Sequence, residues 1–173
     1  MDSRVFTTEK IAKVLEVPEW RVVRFAQVPG YGIKSDWGEA SGPGSRRLYS
    51  LENVCEIALA SWLLQAGLRV EVIGRVLKQM RKQGGLSHLL NLSFSAVLST
   101  YLGVIRSPNW KAGSQEAVYI QNWQHLENVM TQGAFRSVVL IPIGLNFREL
   151  SARMELEEKE RKEEKERKEE KRD

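Results

Sequence analysis

The sequence predicts a mostly α-helical fold with a small β component, and three observations carry that expectation. Helix punctuation is dense in the first half, where three segments combine a starting residue with apolar positions at helical spacing and a fourth helical segment follows. Short β-branched or alternating runs cluster in residues 86–150, in "FSAVLSTYLGV", "EAVYIQNW" and "SVVLIPIGLNFREL". The remainder, "ELSARMELEEKERKEEKERKEEKRD", is built almost wholly from Glu, Lys and Arg. Three regions follow: residues 1–83, a small α+β unit over 86–150, and a charged tail over 151–173.

The first helix is expected in "FTTEKIAKVLEV", capped by Thr7 or Thr8, with Ile11, Val14 and Leu15 on one face. A second follows almost at once in "VPEWRVVRFAQ", where Pro18 suits a first helical turn and Glu19 complements the helix dipole. Two short helices joined by a tight turn make a helix-turn-helix candidate. The glycine-rich stretch "PGYGIKSDWGEASGPGSRRLYS" cannot continue a helix and reads as a loop or hairpin ending in the β-compatible "RRLY". Ser50 then caps "LENVCEIALASWLLQAG", whose Val54, Ile57, Ala58, Leu59, Trp62 and Leu63 form a broad apolar face. Gly67 ends that helix, "VEVIGRVLKQMRKQ" supplies another, and "QGG" at 83–85 breaks the chain. In the tail, Glu recurs three and four residues from Lys or Arg, which suits a solvated or partly disordered helix, with a partner-binding arm as the alternative. Apolar residues stop at Leu156, so no long coiled-coil seam is expected.

Composition narrows the function classes. No apolar run approaches the roughly 18 residues of a membrane span, and "MDSRVFTTEK" lacks the basic-then-apolar form of a signal peptide. A cytoplasmic protein without membrane contact is the expectation. The single Cys55 lies in an apolar helical pattern, where a buried thiol is the ordinary outcome. His88 and His125 stand apart with no acidic or thiol cluster, so no metal site and no cofactor are expected. The sequence offers no nucleophile elbow, phosphate loop or paired carboxylates in an apolar setting, which argues against an enzyme. The net charge of +4 is uneven: Lys and Arg outnumber Asp and Glu 13 to 9 over residues 1–82, but stand 9 to 10 over 151–173. The basic excess therefore lies with the helix-turn-helix candidate, which leaves a polyanionic partner open.

Three blocks, "TTEKIAKVLEVPEWRVVRF", "SRRLYSLENV" and "LLQAGLRVEVIGRVL", resemble the DNA-binding domain of the MerR-like family of bacterial transcription regulators. The resemblance covers about residues 5–82, and it is the order and spacing of the blocks that is specific. It implies a winged helix-turn-helix of MerR type whose second helix, Pro18 to Gln27, reads DNA. By family position, Thr8, Trp20, Arg21, Arg24, Arg46, Arg47 and Tyr49 are the implied DNA contacts, with the adjacent arginines on phosphates. Arg21 and Arg24 share a helix face and could reach a guanine edge or a phosphate, whereas Trp20 could equally be core. The cysteines and long uninterrupted helix of metal-sensing members are missing from the sequence pattern. Residues 86–150 resemble, more loosely, the compact C-terminal domain of short MerR-like regulators. That unit is expected to dimerise through "VVLIPI" and neighbouring aromatics, or to bind a small-molecule effector among Trp110, Tyr119 and Trp123.

The resemblance implies a sequence-specific transcription regulator, nucleoid-associated in a bacterial cytoplasm. It would act as a homodimer on an inverted-repeat operator of double-stranded DNA, bending or untwisting the promoter for RNA polymerase. The alternative is an architectural or excision-type DNA-binding factor, or a protein-interaction module, without promoter output.

Overall fold

In the computed structural model, which describes residues 5–35, 47–93, 96, 100–106, 116–120, 124, 127, 128, 131 and 137–170, the chain is mostly helical with a few short antiparallel strands. Strand β1 (Phe6–Thr7) runs directly into helix α1 (Thr8–Leu15), because Thr7 is the cap: its hydroxyl oxygen accepts the Lys10 amide at 3.3 Å. Helix α1 closes at Glu16, whose backbone takes the left-handed conformation (φ 53°). After a three-residue connection, α2 spans Glu19–Gln27. Pro18 sits just outside this helix, in extended conformation, and its carbonyl accepts the Arg21 amide at 2.9 Å. The helix therefore starts one residue later than expected.

Helix α3 (Leu51–Gln65) is the centre of the first region. Ser50 caps it through the Asn53 amide at 3.3 Å, and the apolar residues from Val54 to Ala60, together with Leu63, are buried. Its two carboxylates each hold another segment. Glu56, 3% exposed, receives two hydrogen bonds from the guanidinium of Arg81, at 2.5 and 2.8 Å. Arg81 lies in the last turn of α4 (Val70–Lys82), so this pair fastens α4 along α3. Glu52 accepts the amides of Leu86 and Ser87 at 2.5 and 2.8 Å, and these open a short 3₁₀ helix, Ser87–Asn91. This geometry explains "QGG". Gly84 and Gly85 both have positive φ, and a Cβ on Gly85 would stand 2.8 Å from a Glu52 carboxylate oxygen.

A second close approach joins α4 to the end of α2. A Cβ on Gly74 would lie 1.8 Å from the carbonyl oxygen of Gly30, so the two backbones meet where no side chain fits. Beside this crossing, Phe25 and Tyr31 pack edge to face at 5.0 Å. Burial raises the Tyr31 pKa, with Arg24 opposing the rise and Glu71 adding to it.

Strand β2 (Leu48–Tyr49) pairs antiparallel with β1, with Phe6 opposite Tyr49 and Thr7 opposite Leu48. Farther along, β3 (Tyr101–Arg106), β4 (Glu116–Ile120) and β5 (Ser137–Ile141) form an antiparallel sheet in the order β4-β3-β5. Helix α5 follows and runs unbroken from Ile143 to Glu170. The expected boundary at 150/151 thus falls inside one helix, and that division needs correcting. Ile143, Phe147, Leu150 and Met154 are buried at spacings of four, three and four, so the apolar stripe crosses the boundary. Phe147 meets Trp62 of α3 edge to face at 5.1 Å. The charged segment is therefore the continuation of a docked helix, and most of its described side chains beyond Met154 are exposed. Among the described residues, no helix is long and apolar enough to cross a membrane.

Candidate nucleic-acid interface

The face of α2 that turns away from the core begins with Trp20. Val22 and Phe25 are buried and anchor the helix, so periodicity puts Trp20, Arg21 and Arg24 outside the packed stripe. Trp20 is 58% exposed, which removes it from the core and places its indole on the surface. The Arg21 guanidinium stands over that ring at 5.5 Å from its centroid, Arg21 being half-buried and Arg24 exposed. A cation over an indole keeps its outward N–H groups for an acceptor while the ring restricts its rotamers. The result is a compact surface of one aromatic plane and two guanidinium groups.

Other expected contacts divide. Thr8 is half-buried at the first position of α1, adjacent to the β1–β2 ribbon. Arg46 lies outside the described residues. Arg47, next to β2, is half-buried, and one of its terminal nitrogens is out of water with no hydrogen-bond partner among the described residues. Tyr49 requires a correction. It is fully buried opposite Phe6, and its hydroxyl has no hydrogen-bond partner among the described residues, so it does not offer a surface contact. The reason is strand alternation: Leu48 and Tyr49 point to opposite faces of a two-residue strand, and the larger ring takes the core face.

Trp110 and Trp123 lie outside the described residues, while Tyr119 contributes its backbone to β4 opposite Leu102. The described residues form a cleft elsewhere, about 260 Å³ in volume, where the C-terminal ends of α1 and α3 meet α5. Trp62, Gln65, Asn146 and Glu149 line it beside Glu16 and Arg153. Sequence reasoning missed this cleft because its residues come from segments assigned to three different regions.

Among the described residues, no three His, Cys, Asp or Glu side chains gather as a metal site. Cys55 is fully buried, and burial followed by the nearby Glu52 and Glu56 charges raises its thiol pKa well above the ordinary value. A thiol held protonated in this way is a packing residue rather than a nucleophile. No protein-family model matches the chain, and no curated protein matches it.

Proposed function

We propose that the chain is a sequence-specific DNA-binding transcription regulator with a MerR-like winged helix-turn-helix. The observation that carries this reading is the exposed Trp20–Arg21–Arg24 face of α2, held on a helix whose opposite side is fixed in the core. Helix α2 enters the major groove in this proposal, with Arg21 and Arg24 reaching guanine edges or phosphates and Trp20 lying against the backbone. Arg47 beside β2, together with Arg46, supplies phosphate contacts from the wing. Thr8, at the start of α1, adds a further backbone contact.

The regulator acts as a homodimer on an inverted repeat, with its half-sites about one helical turn apart. Support comes from exposed apolar side chains on the C-terminal unit. Leu140 is 38% exposed on β5, which ends the described sheet, and Leu145 and Leu156 share a face of α5, eleven residues apart. Bending or untwisting of the DNA between the half-sites would present the promoter to RNA polymerase, with an effector, where one acts, altering that deformation. This is a cytoplasmic, non-enzymatic role that needs no cofactor.

The test is the triple variant Arg21→Ala, Arg24→Ala and Arg47→Ala. Each lost contact is worth about 1 kcal/mol or more, so affinity for duplex DNA falls about 100-fold or further, while the far-ultraviolet circular dichroism stays that of the parent. Unchanged affinity would remove this surface from the account.

A further inference from the structure

The charged part of α5 does not lie against the body at random. Its residues 157–162 read "EEKERK", and residues 163–168 repeat them, so the segment carries equal numbers of acidic and basic groups. A neutral repeat gives no net attraction for a basic domain. The contact nonetheless selects carboxylates: Glu157 lies 3.3 Å from the Lys10 ammonium, and Glu160 lies 2.7 Å from that of Lys13. Both pairs follow i, i+3 spacing on both helices, so one face of α1 meets one face of α5. One turn farther along the same face of α5, Glu164 adds its field at Lys13, whose pKa is raised chiefly by the hydrogen bond to Glu160. At the other end of the contact Arg153 pairs with Glu16 at 3.0 Å and donates to the Val14 carbonyl at 3.4 Å.

This contact reaches the proposed DNA surface. The Lys10 ammonium sits 4.9 Å from the centre of the Phe6 ring, and Phe6 is the strand partner of Tyr49, two residues from Arg47. Lys10 and Lys13 are thus the two basic groups of α1, Lys10 beside the β1–β2 ribbon and Lys13 one turn farther along, and both are occupied by carboxylates of the same chain.

We propose that Glu157, Glu160 and Glu164 form an electrostatic clasp that competes with DNA phosphates for Lys10 and Lys13, so that the C-terminal helix restrains DNA binding by its own domain. The inference rests on the DNA-binding reading above. The two pairs differ in a way that suits reversible release. Lys13 and Glu160 are 59% and 53% exposed, where water and salt weaken an ion pair, whereas Lys10 and Glu157 are 18% and 16% exposed and are less screened. A dense row of phosphates outcompetes the outer pair first, and α5 then peels from α1 back toward Met154, the last buried apolar residue of its stripe.

The experiment compares the full-length protein with Glu157→Gln, Glu160→Gln and Glu164→Gln combined, titrated against a random-sequence duplex of about 30 base pairs at several salt concentrations. A control carries Glu155→Gln, Glu166→Gln and Glu169→Gln, which changes net charge equally on the opposite face of α5. The clasp variant is expected to bind about tenfold more tightly than the parent at low salt, with a log affinity against log salt slope steeper by up to about two, from two newly available lysines. The control should gain much less. In the parent, DNA should also speed amide hydrogen exchange in residues 157–170. Equal gains in both variants, or DNA binding with no gain in the clasp variant, would overturn the clasp while leaving the DNA reading intact. Absence of DNA binding in all three proteins would overturn both.

Discussion

Gly74→Ala destabilises the protein by about 3 kcal/mol, at the upper end of ordinary overpacking, because its methyl group has nowhere to go. The built Cβ stands 1.8 Å from a main-chain oxygen, that of Gly30, and 3.0 Å from the carbonyl carbon. A flexible side chain could swing aside, but a backbone carbonyl moves only with its helix. Relief must come by lifting α4 from the turn after α2, which loosens the Phe25–Tyr31 contact and the support under the Trp20–Arg21–Arg24 face. Gly67→Ala is the internal comparison. Gly67 has φ +81° but open space around its Cβ, so its replacement costs only the backbone penalty, about 1 kcal/mol. Urea denaturation of the two variants checks the contrast, and equal losses would show that the Gly30–Gly74 crossing is not the tight point it is taken to be.

Phe147→Ala is the second large effect, with an expected loss of about 4 kcal/mol for deleting a fully buried aromatic. Its ring packs on Trp62, so the deletion removes the contact through which α5 grips α3. The sheet formed by β3, β4 and β5 meets the N-terminal helices both through α5 and through a direct contact of β4 with α4, and weakening the first of these attachments should reduce the coupling between sheet and helices. Denaturation followed by Trp fluorescence and by circular dichroism should then give two midpoints in place of one. A loss below about 1 kcal/mol with a single midpoint would mean that α5 is held by its ion pairs more than by its apolar stripe.

Much of the N-terminal region is legible in the sequence because its signals are local. Thr7 and Ser50 cap the helices they precede, Gly67 and "QGG" end helices, and the alternation of Val22 and Phe25 with charged residues fixes the buried side of α2. Trp20 is not legible in the same way. A tryptophan beside Val22, Val23 and Phe25 has the composition of core, and only the helix phase shows it exposed. Tyr49 fails for the converse reason. An aromatic beside two arginines reads as a surface contact, but a two-residue strand has to bury one of its side chains, and the strand alternation selects Tyr49.

The C-terminal helix is where sequence reasoning and structure part most. Composition changes abruptly near residue 151, yet the apolar stripe passes the change by a single residue, Met154, spaced four from Leu150. The i, i+4 charge pattern correctly suggests a helix, as in the Glu164–Lys168 pair at 2.5 Å. It cannot reveal the docking, because the partners Lys10, Lys13 and Glu16 lie some 140 residues earlier and no local rule joins them. The buried Glu56–Arg81 pair and the Glu52 cradle are hidden for the same reason: an isolated Glu in an apolar helix gives no sign of its partner.

The central claim is that the face built on α2 reads DNA sequence. Selection of bound fragments from a random duplex pool by the purified protein, at two salt concentrations, tests it most directly. Enrichment of an inverted repeat whose half-sites are separated by about one helical turn is expected, with affinity falling steeply as salt rises. A pool that returns unenriched, with no fragment retained at either salt concentration, would contradict it.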